Sequence, residues 1–188
     1  MIRVCRFIVL AGILLLLWSP PLVAQLELFK TDRLIDATIS NDYDLAKSEL
    51  IKGHIPDPVD NYRRTPLIIA AMAGNPDLIE LLVKFKANLN SRDDAGAGAF
   101  HYAAARGHVG VVVLLLELGA RVNIENRQGM TPLMVAAAGG KIEIVQILLN
   151  SKADAVRNDY TGRSALTWAE RNGRRNVIRL LRQAGSKE

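Results

Sequence analysis

The sequence predicts an all-α repeat solenoid of about five units, and three recurrences predict it. Thr65-Pro66-Leu67 returns as Thr131-Pro132-Leu133, with Gly98-Ala99-Phe100 and Ser164-Ala165-Leu166 at the intervening and following steps of 33 residues. The pair Ala70-Ala71 returns as Ala103-Ala104 and Ala136-Ala137, and half of it survives as Ala169. A glycine closes each copy, at Gly74, Gly107, Gly140 and Gly173. A fixed period of this length marks stacked copies of one supersecondary unit, not a single globular core.

The best-preserved copy, residues 126–158, shows what each unit contains. Asn126-Arg127-Gln128-Gly129 has turn chemistry, with glycine free to take a positive φ. Thr131 is placed to cap a helix whose first position suits Pro132. Gly139-Gly140 stops that helix, and a second runs from about Lys141 to Asn150 with Ile144, Val145, Leu148 and Leu149 on one face. Helices this short are marginal alone, so each unit persists by stacking on the next. The units fall at about 27–59, 60–92, 93–125, 126–158 and 159–188.

These motifs resemble the ankyrin-repeat family. The resemblance rests on the Thr-Pro-Leu triplets, the alanine pairs, Arg106-Gly107-His108 with Leu114-Leu115-Leu116, and Gly119-Ala120-Arg121-Val122-Asn123. It implies a short hairpin plus two antiparallel helices per unit, and binding of other proteins without a reaction or cofactor. It further implies that partners meet a concave side of hairpin tips and exposed first-helix faces. Carried over by register, that side draws on Asn61, Tyr62, Arg64 and Met72, then Asp94, Ala97, Ala105 and Arg106. Arg127, Gln128, Met130 and Ala138 follow, and Tyr160, Arg163 and Arg171 complete it. Tyrosine, methionine and arginine are the types enriched in interface cores. Singly, each reads equally well as a solvated tip residue.

Taken in order, the chain opens on a different kind of text. Arg3 and Arg6 precede the apolar run Phe7 to Trp18, Ser19-Pro20-Pro21 breaks it, and Leu22-Val23-Ala24 ends in a small residue. Residues 1–24 are therefore expected to be a signal peptide, too short in their apolar run to span a bilayer. The alternative is an uncleaved anchor, since Leu22 is large for its subsite. Cleavage after Ala24 leaves residues 25–188, which hold no cysteine and no Asn-x-Ser/Thr sequon. An exported chain without either reads as a bacterial periplasmic protein, with secretion or N-terminal anchoring as alternatives.

The first unit is degenerate. Leu34, Ala37, Asn41, Leu45 and Leu50 keep register, but acidic residues crowd it, as suits a terminal unit with one face in water. The linker His54 to Asp60 holds two prolines and reads as a rigid connector. In the second unit, Arg63 stands where glycine is usual, predicting a strained or altered turn, and Ile68 replaces a histidine frequent in the family. The third unit lacks the capping threonine and proline, so its Asp94–Phe100 backbone is expected to be the loosest of the array. His101 and His108 sit at positions where the resemblance implies structural hydrogen bonds. No metal or cofactor is expected.

Charge divides the ends. Residues 25–60 carry four basic and eight acidic side chains, residues 157–188 eight basic and three acidic. The whole chain is only +5, with no long basic run, so nucleic acid is not an expected partner. No nucleophile elbow, phosphate loop or zinc-protease motif occurs. The function expected is binding of another protein, one with an acidic surface, as scaffold, adaptor or protector in the envelope. Alternatives are neutralisation of a secreted toxin or enzyme, and catalysis at an unrecognised site. Membrane contact is expected only in transit, unless the N-terminal segment stays uncleaved.

Overall fold

The computed structural model describes residues 32–185; the expected signal peptide and the start of the first unit lie outside the described residues. Among the described residues ten helices form five pairs: α1 (Arg33–Ile39) with α2 (Tyr43–Ile51), α3 (Pro66–Ala73) with α4 (Pro76–Lys84), and α5 (Ala99–Arg106) with α6 (Val109–Glu117). The remaining pairs are α7 (Pro132–Gly139) with α8 (Ile142–Asn150) and α9 (Ala165–Arg171) with α10 (Arg175–Gly185). First helices begin at residues 33, 66, 99, 132 and 165, and second helices at 43, 76, 109, 142 and 175. The 33-residue period of the sequence is thus the period of the structure. First helices pack on first helices and second on second along the array.

Local chemistry sets each boundary. Asp32, Thr65, Thr131 and Ser164 occupy one register position and each side chain accepts from a backbone N–H in the first turn. Gly98 at that position has no side chain; its own N–H donates instead to His101 Nδ1 at 3.2 Å. Each first helix is followed by a left-handed residue, Asn41, Gly74, Gly107, Gly140 and Gly173, which reverses the chain into the second helix. Asn41 bears a side chain there, and its Oδ1 accepts from Asn75 Nδ2 of the next unit at 2.6 Å.

Two columns of the second helices reveal which way each unit faces. Leu45, Leu78, Val111, Ile144 and Val177 share a position that is buried in the last four units, while Leu45 is 38% exposed. That position therefore faces the preceding unit. One residue later, Ala46, Ile79, Val112 and Val145 are fully buried and Ile178 is only half-buried, so this position faces the following unit. In the fifth unit that face carries charge: Glu170 stands where the three preceding units have a buried alanine, Arg182 where earlier units have leucine or valine, and the two pair at 2.8 Å. At the other end Glu49 stands where the next four units have Leu82, Leu115, Leu148 and Leu181. It is buried, paired with Lys52 at 2.7 Å and His54 at 3.3 Å, and the Lys52 hydrogen bond leads the effects that hold its carboxyl below the usual range.

Candidate partner-binding face

The four described hairpins are built by one device. Their first residue, Asp60, Asp93, Asn126 or Asp159, accepts through Oδ1 from the backbone N–H groups two and four residues on. The same residue's N–H donates to the carbonyl four on, at 2.9–3.1 Å in every hairpin. This revises the expectation for the third unit. Asp93 ties its turn with the same bonds as the others, because the turn depends on that first Asx residue and not on threonine or proline. The tips are also stitched together: Asp94, Arg127 and Tyr160 each donate N–H to the carbonyl of Tyr62, Ala95 and Gln128 in the preceding tip, all at 3.0 Å. Arg63 takes φ +57°, the left-handed geometry that Gly96, Gly129 and Gly162 adopt at the same step, so the expected strain is present.

On this scaffold most of the expected residues reach solvent. Asn61, Asp94, Ala105, Arg106, Arg127, Gln128 and Arg171 are exposed, as are Tyr62 at 65% and Tyr160 at 71%. Arg64, Met72, Met130, Ala138 and Arg163 are half-buried. Ala97 is a correction: at 7% exposure it belongs to the core, drawn in because its N–H closes the turn onto Asp93. The arginines of this face do not form one column: only Arg64 and Arg163 share a register, Arg127 lies at a tip, and Arg106 and Arg171 lie at the ends of first helices.

Several of these arginines already have partners. Arg64 pairs with Asp60 at 2.6 Å and lies 4.8 Å over the Tyr62 ring. Arg106 donates to the Met72 carbonyl of the unit before at 3.1 Å, and His108 Nε2 lies 3.1 Å from that same oxygen. Arg174 repeats this pattern by donating to the Ala138 carbonyl at 3.0 Å. His101 bridges units as well. Since Nδ1 accepts from Gly98, the proton is on Nε2, which donates to the Met130 carbonyl at 3.0 Å. Burial lowers its pKa and keeps the ring neutral.

Two residues of this face escaped the sequence reading. Tyr102 and Trp168 occupy one register position on α5 and α9, both half-buried. The Tyr102 hydroxyl donates to Asp93 Oδ2, and the Trp168 indole N–H donates to Asp159 Oδ2 at 2.9 Å. Trp168 lies between Arg163 at 5.5 Å and Arg171 at 5.8 Å from its ring. Burial, then the bond to Asp93, pushes the Tyr102 phenol up to about 12, while Arg64 and Arg106 lie near enough to oppose the rise. Burial works against ionisation of Asp159, but bonds from Thr161, Arg163 and Trp168 hold it down at about 2. The signal was present in sequence: an aromatic nine residues after the hairpin Asp, with arginine three or four residues further on.

A family model for ankyrin repeats in three copies matches residues 34–126 and 119–187. The chain belongs to the ankyrin-repeat family. Ankyrin repeats are protein–protein interaction modules, typically without enzymatic activity, and the face described here is the one formed by their hairpins and first helices. Among the described residues, no group of three or more His, Cys, Asp or Glu is placed to hold a metal ion. No helix among them is long and apolar enough to cross a membrane.

Proposed function

We propose that this ankyrin-repeat chain is a non-enzymatic binding module of the bacterial envelope that holds another envelope protein as scaffold, adaptor or protector. The observation carrying the binding reading is the run of exposed tip residues over four hairpins, Asn61 and Tyr62, Asp94, Arg127 and Gln128, and Tyr160, on backbones bonded tip to tip. A rigid backbone bearing exposed aromatic and arginine side chains loses little entropy when a partner docks. The envelope location rests on Arg3, Arg6, the apolar run Phe7 to Trp18 and Ala24, together with the lack of cysteine after residue 5.

Two measurements test the proposal. A photo-crosslinking amino acid at Tyr160, used in envelope extracts, should trap a defined protein, whereas the same group at Glu143 on the second-helix side should not. Equal trapping at both positions would sink the assignment of the face. Intact mass of the protein recovered from the periplasm should correspond to a chain beginning at Gln25; a retained Met1 in the membrane fraction would replace the periplasmic reading with an anchored one.

A further inference from the structure

Resting on the reading that this face binds protein, we propose that the partner segment carries two acidic clusters about 16–20 Å apart with an apolar stretch between them. The argument starts from an alternation along the units. In the third unit Tyr102 is fastened to Asp93 and has Arg106 four residues on along α5; Arg106 and Arg64 of the preceding unit converge on Met72, at its carbonyl (3.1 Å) and its sulfur (4.0 Å). In the fifth unit Trp168 is fastened to Asp159 and flanked by Arg163 and Arg171. A related construction thus occurs twice, an aromatic ring pinned by its own hairpin carboxylate with two arginines in its neighbourhood, both from the same unit at Trp168 and one from the preceding unit at Tyr102.

The fourth unit lacks it. At the positions of Trp168, Arg171 and Arg163 stand Val135, Ala138 and Met130, all three half-buried, and Gly139 stands at the position of Arg106. The floor between the two corners is therefore apolar and uncharged. First helices packed side by side lie about 8–10 Å apart, and α5, α7 and α9 are consecutive neighbours, which sets the separation of the corners.

Charge chooses the occupant. The carboxylates of Asp93 and Asp159 are spent on their own turns and rings, and Arg64 is paired with Asp60, so the groups left facing a ligand are the guanidinium edges of Arg106 at one corner and Arg171 at the other, with the ring surfaces beside them. Arg106 and Arg171 are exposed, and stacking on Trp168 leaves the guanidinium N–H edges of Arg171 open to a carboxylate. Asp94, an exposed acid on this face, has Arg63 at 3.9 Å to offset it. A segment with carboxylates at both corners and aliphatic side chains over Val135 and Ala138 satisfies both the charge and the floor. At about 3.3 Å per residue an extended strand spans the corners in five or six residues, and a helix at about 1.5 Å per residue needs 11 to 13.

The test is selection of random 16-residue displayed peptides against the purified protein, followed by binding measurements on the enriched sequences as synthetic peptides. Enriched peptides should share acidic positions at one of those two spacings with apolar residues between. Arg106→Glu and Arg171→Glu should each weaken binding about tenfold or more, with far-UV circular dichroism unchanged. Neutralising one acidic end of a peptide should abolish its sensitivity to one of the two variants and leave sensitivity to the other. Peptides sensitive to Arg106→Glu or Arg171→Glu but bearing a single acidic cluster, or none, overturn the two-cluster partner and leave the binding face standing. Peptides insensitive to both variants, or no enrichment at all, overturn the two-cluster partner and the face together.

Discussion

Leu133 and Leu166 occupy the same register position one unit apart, and their alanine variants should differ sharply. Leu133 on α7 is 0% exposed, enclosed by its own unit and the next, whereas Leu166 on α9 is half-buried, with no further helix pair packed on it among the described residues. Leu133→Ala removes three buried carbons, about 2.4 kcal/mol of transfer free energy. The cavity left between two stacked helices adds roughly 1–2 kcal/mol, for a total of about 3–4 kcal/mol. At Leu166 part of that surface already meets water and the space opens to solvent, so about 1–2 kcal/mol is expected. Trp168 is the single tryptophan beyond the first 24 residues and reports unfolding by fluorescence in either variant. With a urea slope of about 2 kcal/mol per molar, the midpoint should fall about 1.5–2 M for Leu133→Ala and under about 1 M for Leu166→Ala. Equal shifts would refute the assignment of this position to the face that meets the following unit.

Three further outcomes can be checked with the same unfolding assay. Arg63→Gly should stabilise by up to about 1 kcal/mol, because the left-handed strain of a side-chain-bearing residue exceeds the entropy cost of glycine and the exposed Arg63–Asp94 pair contributes little. Gly129→Ala should destabilise by about 2 kcal/mol, since its new methyl would lie 2.5 Å from the Tyr160 ring on a backbone at φ +76°. The acid limb of stability should contain an Asp159 contribution, fully present above its ordinary pKa near 3.8 and lost as pH falls toward its folded value of about 2. Asp159→Asn should shrink that limb while preserving the turn, because Asn126 builds the same turn in the fourth unit; an unchanged acid profile would contradict the assignment.

The fold was legible because the features that specify it recur. Helix starts follow a capping residue at a constant step, helix stops follow glycine or Asn41, and the apolar columns repeat, so 33-residue register alone places both helices of every unit. What the period hid is what differs between units. The third turn looked weak because the missing threonine and proline were visible, whereas the role of Asp93 emerges only when four hairpins are compared in space. Leu45 kept register yet lies partly in water, unlike Leu78, Val111, Ile144 and Val177, which are covered by the described helices of the unit before.

The binding face was legible as a surface and not as a pattern. Register located the tips and first-helix ends, but it treated every arginine there as a free charge. In the structure Arg64 is tied to Asp60, Arg106 holds a carbonyl of its neighbour, and Arg163 and Arg171 embrace Trp168. Residues that join units together repeat, since each junction solves the same packing problem. Residues that meet a partner need not repeat, because the partner is not periodic. Tyr102 and Trp168 obey both demands at once: each uses its polar edge to brace its own hairpin while its ring remains partly open on the first-helix face. Their recurrence in the third and fifth units, with Val135 between them, is a departure from the period that no junction requires. Departures of that kind, on an otherwise regular scaffold, are where the chemistry of recognition has room to be written.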